Sequence, residues 1–220
     1  MLNIMEAYDV RGMGFGSPDL TTLMRRLPND KVPQVLATAG YGFAWKSDSW
    51  VFNARATYPH EAAAFYTWLQ KKSGSSAPIK VGVISSEVSP AYVDIHKGIE
   101  KFAKDNPKIL EVVETVYTEA QPTDLTQQVN RLIRKGATVL QVFNNTASVV
   151  ATRRALQSLG KTNIPIVMSA HNGLISSGKA LGAVWATRSR SRLTKPRVAM
   201  VCPSVASTSI GQRAHSGTPT

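Results

Sequence analysis

From Ile79 to Ser169, apolar runs of strand length alternate with amphipathic stretches of helical length, and this alternation limits the available folds more than any other feature. The run Ile79-Lys-Val-Gly-Val-Ile84 reads as a buried strand that leads into a loop over 85–90. Tyr92, Ile95, Ile99, Phe102 and Ala103 then recur at helical spacing, with Lys97, Lys101 and Lys104 opposite and Asn106-Pro107 as the stop. A β-rich run follows over Leu110–Tyr117. Thr123 and Asp124 next cap and charge the first turn of a helix whose apolar face is Leu125, Val129, Leu132 and Ile133, closed by Gly136. The order repeats with a strand over 138–143, a helix over 148–159 ending at Gly160, and a strand over 164–169. Strands alternating with helices of this length predict right-handed βαβ crossovers and a mostly parallel sheet.

Upstream, Ser17-Pro18-Asp19 predicts a helix start, with Ser17 as N-cap and Pro18 at the first helical position. Residues 32–38 and 50–54 read as strands, and 59–72 as a helix with Ala62, Phe65, Tyr66 and Leu69 on one side, before a Ser/Gly linker over 73–77. Past Ala183 the periodicity stops. The last 38 residues are rich in Ser, Thr and Arg, hold no acid and have few large apolar side chains. Ordering costs roughly 1.5 kcal/mol per residue, and little here offsets it, so this segment is expected to be disordered. So abrupt a change is also what a reading-frame shift near codon 182 would produce.

The net charge of +12 raises nucleic acid or an anionic surface as partners, but its placement argues otherwise. All fourteen acidic residues lie at or before Asp124, whereas 125–220 holds thirteen Lys and Arg, six of them in the last 38 residues. The Arg188–Arg197 stretch has no interleaved aromatics, and no nucleic-acid partner is expected. A single cysteine, Cys202, excludes an internal disulfide, and no Cys/His spacing suits a metal. Gly12-x-Gly14-x-Gly16 lacks the third glycine of a dinucleotide fingerprint, which would fall at Ser17. Ser85 and Ser86 lack a nucleophile elbow. No catalytic residue, metal or cofactor is expected, and the chain reads as a binding protein rather than an enzyme. The first residues, MLNIMEAYDVRG, carry neither the basic nor the apolar region of a signal peptide.

The phrases KVPQVLATAGYG, YPHEAAAFYTWLQKK, PIKVGVISSEVSPAYVDIHKGIEKF, TDLTQQVNRLIRKGATVLQVF and ATRRALQSLGKTNIPIVMS with its loop AHNGL follow one another in a telling order. Over roughly residues 10–182 the chain resembles the type I periplasmic binding proteins of branched-chain amino-acid ABC transporters, the leucine-binding protein class. The resemblance implies an α/β fold with a parallel, doubly wound sheet, present as one near-complete lobe plus a fragment of the other. Residues 1–56 would be part of lobe 1, 57–182 lobe 2, and 183–220 the basic tail. It implies a periplasmic substrate-binding component that closes on a small amino-acid-like, carboxylate or amide solute and presents it to a membrane permease. The alternatives are a cytoplasmic ligand-sensing domain of the same fold and a basic nucleic-acid-binding protein.

In open α/β sheets, ligands sit beyond the carboxyl ends of the strands. Matched to the family, those positions in lobe 1 are Ser17 with Thr38, Ala39 and Tyr41, where a hydroxyl and backbone amides would hold a carboxylate. In lobe 2 they are Ser86, Tyr92, Asn144 and His171. Family members that bind amino acids place a carboxylate at the last of these, to pair with the ligand's ammonium. Here that position reads His171, which argues for a carboxylate, amide or aromatic acid rather than an α-amino acid.

Overall fold

A computed structural model describes residues 25–36, 48, 50–53, 56–169, 172, 174–181 and 198–200. In chain order the elements are α1 (Leu27–Asp30), β1 (Gln34–Leu36), β2 (Val51–Asn53), α2 (Tyr58–Ser73), β3 (Ile79–Ser85), α3 (Pro90–Asp105) and β4 (Leu110–Tyr117). They continue with α4 (Thr126–Arg134), β5 (Val139–Val142), α5 (Thr146–Ser158), β6 (Ile166–Met168), α6 (Leu174–Leu181) and β7 (Val198–Met200). β1 and β2 form a two-stranded parallel sheet, with Gln34 opposite Val51. The other five strands form a parallel sheet in the order β4-β3-β5-β6-β7.

Alternation along the strands divides the interior into two layers, because successive side chains point to opposite faces. Val81 and Val83 of β3, Val139 of β5, Phe143 just beyond it and Val167 of β6 pack against Tyr58, Ala62 and Tyr66 of α2 and Ile95, Ile99 and Ala103 of α3. The intervening Ile84, Leu140, Val142, Ile166 and Met168 pack against Val129 and Leu132 of α4 and Val149, Ala155 and Leu156 of α5. Both faces are covered, so the strands read as continuous apolar runs, as expected of a parallel sheet.

Two glycines mark where layers approach closely. A Cβ at Gly82 would lie 2.9 Å from Leu132 Cβ, and one at Gly98 would lie 2.7 Å from Pro59 Cβ. The first lets α4 settle on β3, and the second lets α2 cross α3. One polar link bridges the α2 layer to the sheet: the buried Tyr66 hydroxyl donates to Gln141 Oε1 at 2.8 Å, and Gln141 Nε2 donates to the Val167 carbonyl at 3.2 Å. Burial pushes the Tyr66 phenol far above its ordinary range, so it stays a protonated donor.

Several boundaries differ from the sequence reading for local reasons. α4 begins at Thr126 rather than at the expected Thr123–Asp124 cap, because Asp124 Oδ1 accepts the Thr126 amide (2.9 Å) and hydroxyl (2.6 Å), an Asx turn just outside the helix. α5 begins at Thr146 rather than 148, because Asn145 is the N-cap and accepts from the Ala147 amide at 3.0 Å. Three elements were not foreseen: α1, α6 and β7, the last of which lies inside the segment expected to be disordered. Val198–Met200 is a short apolar triplet, and pairing in register beside Ile166–Met168 satisfies its backbone. Among the described residues no helix is long and apolar enough to cross a membrane.

Candidate functional site

The strand order locates the place where a ligand fits. From β3 the chain runs through α3 out to β4, whereas from β5 it runs through α5 to β6 on the other side. The connections leave in opposite directions between the carboxyl ends of β3 and β5, and a crevice opens there. The two strand ends are tied together by the Phe143 amide, which donates to the Ile84 carbonyl at 2.8 Å. The loop 86–89 and the pair Asn144-Asn145 therefore flank one switch point.

Two helices start at this crevice. α3 is capped by Ser89, whose hydroxyl accepts from the Ala91 amide at 3.4 Å, and has Pro90 in its first turn. α5 is capped by Asn145. Neither first turn contains an acidic residue. The partial positive charge at each helix start is thus left uncompensated within the helix, which favours an anionic group nearby.

Of the residues expected to contact a ligand, Ser86, Tyr92 and Asn144 are described, while Ser17, Thr38, Ala39, Tyr41 and His171 lie outside the described residues. Ser86 is buried at the end of β3, its hydroxyl accepting from the Val88 amide at 3.4 Å. Tyr92 is half-buried on the first turn of α3 and packs against the α2 layer. Burial, and secondarily the neighbouring Tyr58, raise its phenol above the ordinary range, so it too stays a neutral hydroxyl.

Asn144 is fully buried and its amide is committed to the scaffold. Nδ2 donates to the Glu119 carbonyl at 2.9 Å and to Thr118 Oγ1 at 3.2 Å, while Oδ1 accepts from the Asn145 amide at 2.7 Å. Its backbone carbonyl accepts from Asn172 Nδ2 at 2.8 Å, and Asn172 Oδ1 accepts from the Thr146 hydroxyl at 3.4 Å. Asn145 Nδ2 donates to the Ala120 carbonyl. These three asparagines join the loops after β4, β5 and β6 into one rigid rim. Ser86 and Asn144 come together at the switch point, with Tyr92 one loop away on α3.

Sequence reasoning missed a second group at the same edge. His96, on the inner face of α3, is 2% exposed. Its Nδ1 lies 3.0 Å from Ser85 Oγ and its Nε2 3.4 Å from the Tyr117 hydroxyl. Its spacing of four residues from Tyr92, on a face that also holds Ile95 and Ile99, was the available signal. Val88 and Tyr117, 60% and 49% exposed, are two of the large apolar side chains left open, and both are at this carboxyl edge. Among the described residues no three His, Cys, Asp or Glu side chains converge as metal ligands would.

A family profile described as "Periplasmic binding protein" matches residues 6–191. The chain belongs to that periplasmic binding protein family. Solved structures of the same fold include a substrate-binding protein of an ABC transporter from Aeropyrum pernix, with a TM-score of 0.68 and 15% identity over 89% of this chain and 47% of that one. A branched-chain amino-acid ABC transporter protein from Thermus thermophilus with bound valine aligns with a TM-score of 0.66 and 15% identity, over 76% of this chain and 42% of that one. A solute-binding protein from Rhodopseudomonas palustris HaA2, in complex with p-hydroxybenzoic acid, aligns at 0.60 and 18%, over 81% and 49%. A search of curated protein sequences finds no match. This periplasmic binding protein chain spans less than half the length of the solved structures it matches. The profile runs nine residues past the expected end of the resemblance at 182.

Proposed function

We propose that this chain is the larger part of one lobe, and a piece of the other, of an ABC-transporter substrate-binding protein that holds a small carboxylate or amide solute at the switch point. Residues 57–182 supply the lobe and 1–56 the fragment. The observation that carries the reading is the convergence of two helix starts without acidic first turns on the crevice between β3 and β5, in a chain of this family. An anionic or amide head suits the partial positive charge at those helix starts. The open faces of Val88 and Tyr117 suit an apolar or aromatic body beside them. Solutes bound by structures of the same fold span that range, from valine to p-hydroxybenzoic acid.

In this reading Ser86 and Tyr92 contact the solute, together with Ser17, Thr38, Ala39, Tyr41 and His171, and Asn144 contributes by shaping the rim. The process is binding followed by lobe closure, without covalent chemistry, and the partner is a membrane permease on the periplasmic side. The basic surface of α4 gives little support to a nucleic-acid partner, because Arg131 and Lys135 both engage Glu114.

Thermal-shift measurements on the full chain with valine, leucine, benzoate, 4-hydroxybenzoate, hexanoate and the matching amides test this. A solute at about a hundredfold its Kd adds about 2.7 kcal/mol, which raises Tm by roughly 5–10 °C for a chain of this size. No shift with any of them from a cooperatively folded chain overturns the reading.

A further inference from the structure

His96 joins three elements around the loop that bears Ser86. Ser85 Oγ lies 3.4 Å from the Tyr92 carbonyl and 3.0 Å from His96 Nδ1; with the hydroxyl proton directed to that carbonyl, the Ser85 oxygen accepts from Nδ1–H of His96. Nε2, then unprotonated, accepts from the Tyr117 hydroxyl at 3.4 Å. Ser85 and Tyr117 are register partners across β3 and β4, and the Tyr117 ring meets the imidazole edge-on, with centroids 5.2 Å apart at 70°. One directed chain therefore runs from the Tyr117 hydroxyl through His96 and Ser85 to the Tyr92 carbonyl. It pins both ends of the loop 86–91 to the edge strand.

We propose that His96 is the positioning residue for this solute loop, holding it in the neutral Nδ1–H form, and that protonation of the imidazole loosens the loop and weakens solute binding. The binding half rests on the function proposed above; the loop half does not. A second proton makes Nε2 a donor. The Tyr117 hydroxyl must then turn its proton toward water, which its half-exposed ring allows, and the direction of the chain is broken at that link.

Burial is the largest influence on the imidazole and lowers its pKa below the ordinary 6.5. Glu100 of α3, the Tyr92 carbonyl and Glu87 of the loop favour the charged form, and Lys97 of α3 opposes it. The facing group on β4 is the Tyr117 phenol, which desolvation first and then Glu100 and Glu87 raise above its ordinary 10.0, so it stays neutral where the imidazole titrates. The unfolded chain thus binds more protons than the folded one between the two pKa values. Stability from this site is complete above about pH 6.5 and declines as pH falls through that value toward the folded pKa.

The test is amide hydrogen exchange of residues 86–92 in the full chain at about pH 7.5 and about pH 5, corrected for intrinsic rates, in wild type and His96→Gln. Wild-type protection should fall on the order of fivefold at the lower pH, the scale of one ordinary hydrogen bond, while His96→Gln should show low protection at both. Tyr117→Phe keeps the ring and cuts only the Nε2 link, and should bring protection at the higher pH toward the acid value of wild type. Wild-type protection that ignores pH, or a fall that persists in His96→Gln, overturns the proposal. The same solute panel, measured at both pH values, reads the binding half: affinity should drop on acidification in wild type and not in His96→Gln. If no solute binds at either pH, the binding reading and that half fall together, and exchange alone decides the role of His96.

Discussion

Replacing Asn144 with alanine removes the donor to the Glu119 carbonyl and the Thr118 hydroxyl and the acceptor of the Asn145 amide, all at a fully buried position. Leaving buried polar groups without partners costs about 1–3 kcal/mol each, so Asn144→Ala should lower the urea midpoint by the equivalent of at least about 2 kcal/mol. An unchanged midpoint would deny the asparagine rim its structural role. Tyr66→Phe, which deprives Gln141 Oε1 of its donor, should cost about 1–3 kcal/mol in the same measurement. At this scale the sequence was only partly legible. Asn144 was read correctly as lying at a strand's carboxyl end, but whether its amide faces a ligand or the neighbouring loop depends on Thr118 and Glu119, some 25 residues away in the chain. His96 was passed over for a related reason: a histidine on an apolar helix face gains its meaning from Ser85 and Tyr117, which only the parallel pairing of β3 and β4 brings to it.

The elements depend on close approaches and on edge chemistry. Gly98→Ala would drive a methyl into the Pro59 ring, which its own backbone holds in place, so α2 and α3 must separate. Overpacking of this kind costs typically about 1–3 kcal/mol, to be read as a lowered midpoint with unchanged m-value. At the sheet edge, Glu114 of β4 takes a two-pronged contact from Arg131 of α4 and lies 3.4 Å from Lys135. The hydrogen bond from Arg131 is the main reason its carboxyl titrates below the ordinary 4.5. Its contribution is therefore present above that pH and lost as pH falls through the folded value. Glu114→Gln should flatten the acid limb of a stability-versus-pH curve, and an identical limb in the variant would remove Glu114 from the account. Strands and helices from 58 to 169 were the most legible part of the chain, because a parallel sheet covered on both faces leaves long apolar runs that periodicity detects. Helix starts were less legible, since Asp124 and Asn145 choose between capping and turn formation by local geometry. β7 was invisible because three residues pair only when β6 offers them an open edge.

For the whole molecule, the strand order puts the proposed solute site at a single locus, the carboxyl edge between β3 and β5. The chain spans less than half the length of the solved structures it matches, and in the proposed reading one lobe's face carries most of the solute contacts. The most direct measurement is a titration of the isotopically labelled full chain with benzoate, following backbone amide shifts. The account predicts saturable changes concentrated at residues 85–92 and 143–147, around the two helix starts. Saturable changes confined to the opposite, amino-terminal edge of the same strands, or saturation without any response at the switch point, would contradict it.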